Sequence, residues 1–124
     1  MKVSIGGIEP YVTKDGSIIR ELIQPEHQEG ACMSLAEATV PEGGSTVSHI
    51  HRRSQEIYHI ISGMGFMALG KMRFKVETGD SILILPGTPH HIENTGSGSL
   101  RILCCCHPPY DDGDTDLLGD NSRE

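Results

Sequence analysis

The chain has 124 residues, a formal net charge of −7, seven histidines, four cysteines, three tyrosines, two phenylalanines and no tryptophan. That length bounds one domain with a single core, the lack of a basic stripe or an aromatic stacking platform excludes nucleic-acid binding, and the absence of a long apolar run excludes a membrane span. Acids crowd residues 111–124, which leaves the body of the chain close to neutral, and the opening MKVSIGGIEP carries neither an apolar run nor a small-residue cleavage site, so a cytoplasmic location is expected.

No window holds a helical period, and turn residues punctuate the chain about every 8–12 residues, which predicts an all-β sandwich or barrel of around nine or ten strands. YVT and SIIRELI flank Lys14-Asp15-Gly16, a hairpin with Asp-Gly at its turn. Within the second of these, Arg20 alternates with Ile18 and Leu22, so its guanidinium shares an apolar face and calls for a carboxylate partner or a bound anion. ACMSLAEATV is the next strand, PEGGS turns it into TVSHIH, and EIYHIIS follows the RRSQ loop. FMAL and MRFKV form a hairpin across Gly70, and SILIL, a continuous apolar run, reads as a strand buried on both faces. PGTP turns the chain into HHIEN, and TGSGS into SLRILCC, for which antiparallel pairing with HHIEN is expected, with Leu100 near Asn94. Residues 1–30 are expected to be N-terminal strands packing on a barrel core of residues 31–110, and the acidic tail from residue 111 to be mostly disordered.

Three of the cysteines, Cys104, Cys105 and Cys106, are consecutive, which suits disulfide geometry poorly and fits a reducing compartment. Alternation turns Cys104 and Cys106 inward with Leu100 and Ile102, as small buried hydrophobes, and Cys32 reads the same way. The pairing expected for SLRILCC carries these thiols past His90, so they are not expected to be ligands.

The chemistry concentrates in SHIHRRSQEIYHIISG and GDSILILPGTPHHIEN. His49 and His51 are two apart, so on a strand both imidazoles point to one face as a chelating pair. Glu56 follows after a turn, and His90 follows a Pro-Gly turn. Singly each could decorate a strand; jointly they form a candidate site of three imidazoles and one carboxylate. His59 and His91 have the opposite parity and read as surface or interface residues, while His27 and His107 have no partner at ligand spacing.

These residues resemble the cupin family. Its first motif is matched by Gly43, His49, His51, Glu56 and Gly63, and its second by Gly79, Gly87, His90 and Asn94, with Leu85 standing where the first proline belongs. The resemblance implies a double-stranded β-helix, or jelly roll, with one divalent transition metal ion inside one end, held by His49, His51, Glu56 and His90. The ligand set admits iron, manganese, nickel, zinc or copper. Four protein donors on an octahedral ion leave two positions open, which makes a site catalytic in character.

Tyr58 shares the parity of Glu56 and is placed to donate a hydrogen bond to a substrate. Arg53, next to Arg52 in the loop between ligand strands, and Arg20 could guide an anionic one. The function expected is a small metalloenzyme acting on a sugar, organic acid or phenolic compound by dioxygenase, isomerase or lyase chemistry. The alternative is a non-catalytic module that binds or senses a sugar-like molecule. Apolar surface on MRFKV and SILIL, together with open sheet edges, predicts a homodimer.

Overall fold

A computed structural model describes residues 2–119. They form eleven strands: β1 (Tyr11–Val12), β2 (Ile18–Ile23), β3 (Ser34–Val40), β4 (Ser48–His51), β5 (Gln55–Ser62), β6 (Met64–Leu69), β7 (Met72–Glu77), β8 (Ser81–Ile84), β9 (His90–Asn94), β10 (Leu100–His107) and β11 (Thr115–Gly119). Two antiparallel sheets face each other, one ordered β1-β2-β3-β10-β5-β8 and the other β11-β4-β9-β6-β7. This is the all-β jelly roll. Among the described residues no helix is long and apolar enough to cross a membrane.

Period-2 alternation writes the interior. Strand β5 buries Glu56, Tyr58 and Ile60 and exposes Gln55, Ile57 and His59, and β10 buries Leu100, Ile102, Cys104 and Cys106. Ile60, Met67, Ile84, Ile92, Leu100 and Ile102, from five strands of both sheets, fill the core, each such burial worth about 1.5–3 kcal/mol of apolar transfer. Two glycines are required by the backbone. Gly63 joins β5 to β6 at φ 92°, where a Cβ would come within 2.8 Å of Ser99 O. Gly87 adopts φ 77° in the turn before His90, and its N–H donates to His51 O at 2.8 Å, which ties that turn to the end of β4.

Four expectations need correction. Strand β10 pairs with β3 and β5, whereas β9 lies in the other sheet between β4 and β6. Asn94 Nδ2 donates to Val40 O and Gly98 O while its Oδ1 accepts from Gly96 N, fixing a turn that crosses between sheets instead of closing a hairpin. The crossing puts Leu100 opposite Val40 and Cys106 opposite Glu56. Strand β8 is an edge strand, so Ile82 and Ile84 are buried while Leu83 and Leu85 are exposed, and the apolar run is not buried on both faces. Cys32 is exposed, since it precedes β3 and never enters the alternation.

The tail is the fourth. Residues Asp112–Asp114 form a 3-10 turn and β11 pairs antiparallel with β4, Thr115 opposite His51 and Leu117 opposite His49. Asp114 is buried and accepts hydrogen bonds from the Arg53 and Ser54 N–H groups. Lys14 Nζ, from the β1–β2 turn, donates to Asp112 O and Thr115 O. An acidic, apolar-poor composition suggests disorder, but here the segment is held by polar partners distant in sequence. Residues 120–124 of the expected tail lie outside the described residues.

Candidate metal centre

Strand β4 ends at the mouth of the jelly roll with His49 and His51 on its inner face, and β9 begins there with His90, the register partner of His49. Across the gap, β5 turns Glu56 inward. One nitrogen from each of the three histidines lies within 4.8 Å of the others, and all three rings are buried. Glu56 Oε1 is 3.1 Å from His51 Nε2 and 3.6 Å from His90 Nε2.

The hydrogen bonds behind the rings fix their tautomers. His49 Nδ1 lies 2.8 Å from Val47 O and His90 Nδ1 lies 2.9 Å from Thr88 O. A carbonyl can only accept, so both rings carry N–H at Nδ1. His51 Nδ1 meets Thr115 Oγ1 at 3.0 Å, and that hydroxyl donates onward to Asp111 O, so it too accepts from the ring. With Nδ1–H so engaged, each ring in its neutral form turns an Nε2 lone pair into one space, where the Glu56 carboxylate also points. Buried Glu56 Oε1 and His90 Nε2 have no hydrogen-bond partner among the described residues. Acceptors facing acceptors in a buried space need a cation between them, and a divalent transition ion fits this donor set.

The electrostatics follow from the same crowding. Burial, with His90 alongside, lowers the His49 pKa to about 4. Burial opposes charge on His51, but the Glu56 carboxylate outweighs it and raises that ring's pKa. For Glu56, burial favours the neutral acid, yet the adjoining imidazoles of His51 and His90 hold it well below the usual carboxylate range. Burial and then the Glu56 charge push the Tyr58 phenol and the Cys104 and Cys106 thiols well up, so all three stay protonated.

A cavity of about 50 Å³ opens beside the cluster. Tyr58 lines it, its ring centroid 6.0 Å from that of His90. Ile19, Ala36, Ala38, Ile102 and Cys104 supply an apolar wall. Neither arginine anticipated as a substrate contact reaches it. Arg20 sits opposite Glu37 and pairs with that buried carboxylate at 3.9 Å, because the inward set of β2 is Ile19, Glu21 and Ile23. Arg53 points to solvent, its Nε 3.4 Å from Asp114 Oδ1. Among the described residues, no lysine or arginine lines the cavity.

Thr115, Tyr110 and Asp15 stand around the cluster without a signal in the sequence, whereas Cys106 is one of the thiols that alternation turns inward. Thr115 orients His51 from within the segment expected to be disordered. Cys106 Sγ donates to Glu56 Oε2 at 3.2 Å, and Tyr110 sets its ring 5.8 Å from that of His51. Asp15 places Oδ2 3.6 Å from His49 Nε2; in sequence it reads only as a turn residue. A lone Asp in Asp-Gly carries no metal signal, and only the chain's return through β2 and β3 brings it to the site.

A jelly roll of two antiparallel sheets with three inward histidines at one end defines a class of small β-barrel proteins suited to binding a metal ion. The chain belongs to the cupin family: the model of the cupin domain matches residues 36–106. It is 52% identical over 118 residues to the uncharacterized protein MJ1618 of Methanocaldococcus jannaschii, covering 95% of this chain and 94% of that protein. Among solved structures, a predicted oxalate decarboxylase from Thermotoga maritima is 25% identical with a TM-score of 0.77, covering 87% of this chain and 99% of that one. Streptomyces Pac13, a nucleoside dehydratase, is 19% identical with a TM-score of 0.76, covering 95% of this chain and 90% of that one, and is a likeness of fold alone.

Proposed function

We propose that the protein is a metal-dependent cupin enzyme in which His49, His51, His90 and Glu56 hold one divalent transition ion, and that it acts on a small oxygenated metabolite. The observation that carries the reading is the convergence of three Nε2 lone pairs and a buried carboxylate oxygen on one space beside a cavity. When bound, such an ion would act as a Lewis acid or a site for dioxygen, compatible with dioxygenase, isomerase or lyase chemistry.

The lining residues support a substrate class. At roughly 10–15 Å³ per water-sized group, a cavity of about 50 Å³ holds a few-carbon molecule or one end of a longer one. Asp15, Glu21 and Glu56 line it without a lysine or arginine among the described residues, which favours a neutral hydroxyl or carbonyl compound over a multiply charged acid. Tyr58 keeps its proton and can donate it in a hydrogen bond to a substrate oxygen. The apolar wall excludes water and strengthens those polar contacts. A homodimer, closed over exposed strand surface, is part of the same reading.

The test is elemental analysis of protein purified without a histidine tag, followed by oxygen uptake and product analysis with small sugars, organic acids and phenolics. About one metal per chain is expected, lost in His51→Ala. Wild-type protein that stays metal-free after anaerobic reconstitution overturns the reading, and a ligand bound without turnover moves the chain to the sensing class.

A further inference from the structure

We propose that Asp15 is a fifth protein ligand to the metal ion, a role resting on the metal reading of the histidine cluster but absent from either sequence motif. Its carboxylate is held in an asymmetric way. Oδ1 accepts from Thr13 Oγ1 at 2.7 Å, from the Ser17 N–H at 2.9 Å and from Ser17 Oγ at 2.7 Å. Oδ2 is thereby turned into the cavity, 3.6 Å from His49 Nε2. The backbone is fixed as well, since Val47 N donates to Asp15 O at 2.8 Å, stitching the β1–β2 turn to the chain just before β4.

His49 carries its N–H at Nδ1, facing Val47 O, so Nε2 and Asp15 Oδ2 are two acceptors directed at each other. A metal ion about 2.1 Å from each donor spans an N···O separation of up to ~4.2 Å, and 3.6 Å lies inside that limit. Glu56 turns Oε1 toward the histidines, while Oε2 accepts from the Cys106 thiol at 3.2 Å, an arrangement that favours one oxygen on the ion. A sixth position therefore remains for substrate or water once Asp15 is counted. Two carboxylates beside three neutral imidazoles also balance a divalent charge, and added oxygen donors favour manganese or iron(II) over copper(I).

The experiment compares Mn(II) affinity, by chelator competition, and the number of inner-sphere waters, by proton relaxation enhancement, in wild type, Asp15→Asn and Thr13→Ala. Wild type should hold one exchangeable water. Asp15→Asn should bind Mn(II) at least tenfold more weakly and gain a second water, while Thr13→Ala, which removes one of the three donors to Oδ1 but keeps the carboxylate, should weaken binding less and hold a single inner-sphere water. Unchanged affinity and hydration in a folded Asp15→Asn protein, or an equal loss in Thr13→Ala, overturns the role of Asp15 alone. If Asp15→Asn does not fold, wild type decides: one inner-sphere water supports five protein ligands, and two or more overturn them. A wild-type protein that binds no Mn(II), and no other divalent transition ion, overturns the metal reading together with this one.

Discussion

Cys106 donates its thiol hydrogen to Glu56 Oε2 at 3.2 Å, from the strand position directly opposite that glutamate. Burial and the neighbouring carboxylate keep the thiol protonated, so it orients Glu56 without competing for the ion. Cys106→Ser, which retains a donor, should keep one metal per chain and near-wild-type affinity. Cys106→Ala should keep the stoichiometry with weaker binding and lose about 1–3 kcal/mol of stability. Thiolate-to-metal absorption in a cobalt-loaded wild-type sample would contradict this, and so would a Cys106→Ala protein that folds without metal.

Asp114 links acid stability to the site. Burial works against its charge, but the Arg53 and Ser54 N–H groups and the Arg53 side chain outweigh that and lower its pKa. A carboxyl lowered in the fold stabilises it above the unfolded value of about 3.9, and the contribution is lost as pH falls through the lower folded value. Asp114→Asn should therefore cost stability at pH 7, about 1–3 kcal/mol for weakened buried hydrogen bonds, and the gap to wild type should shrink below about pH 4. Denaturant titrations at pH 7 and pH 3 check this; a gap that widens in acid refutes it.

The two sequence motifs carried the fold and the histidine cluster because both are local facts. Alternation fixes which face His49, His51, Glu56 and His90 occupy, and Pro86-Gly87 places the turn before His90. What escaped reading is long-range. Asp15 and Thr115 reach the site, and inward Cys106 meets Glu56, only through sheet order, which periodicity does not encode. Arg20 does have the carboxylate partner its pattern calls for, the buried Glu37, but Ile19 and not Ile18 or Leu22 is the buried residue of that strand, so the guanidinium does not face the cavity. The acidic tail was misread because composition weighs apolar content and cannot see that β4, bonded to β9 only at His49 and His90, needs β11 on its other side.

Outward-facing residues of the six-stranded sheet predict assembly. Ile57 and Leu83 are cross-strand partners, 43% and 52% exposed, and Leu85 at the end of edge strand β8 is 54% exposed. Contiguous apolar surface beside an open edge favours pairing with a second copy. Light scattering at micromolar concentration should report a dimer, and Leu83→Lys, which changes only an exposed position, should shift it to monomer. A monomeric wild type at that concentration sinks the prediction.

The C-terminal strand should matter for metal binding. Thr115 Oγ1 accepts the His51 Nδ1 hydrogen at 3.0 Å and passes its own to Asp111 O, an outer-shell bond of the kind that fixes a ligand's tautomer and ring plane. Thr115→Val keeps volume but removes the acceptor, leaving a buried N–H unsatisfied at about 1–3 kcal/mol. Metal affinity should fall roughly 10–100-fold, the usual effect of losing such a partner. A chain ending at Pro109 should lose more, since it also uncovers the edge of β4 and frees the Arg53 and Ser54 N–H groups from Asp114. Chelator competition on the two proteins decides the matter: wild-type affinity in Thr115→Val, or full metal loading in the truncated chain, would mean that β11 covers the site without shaping it.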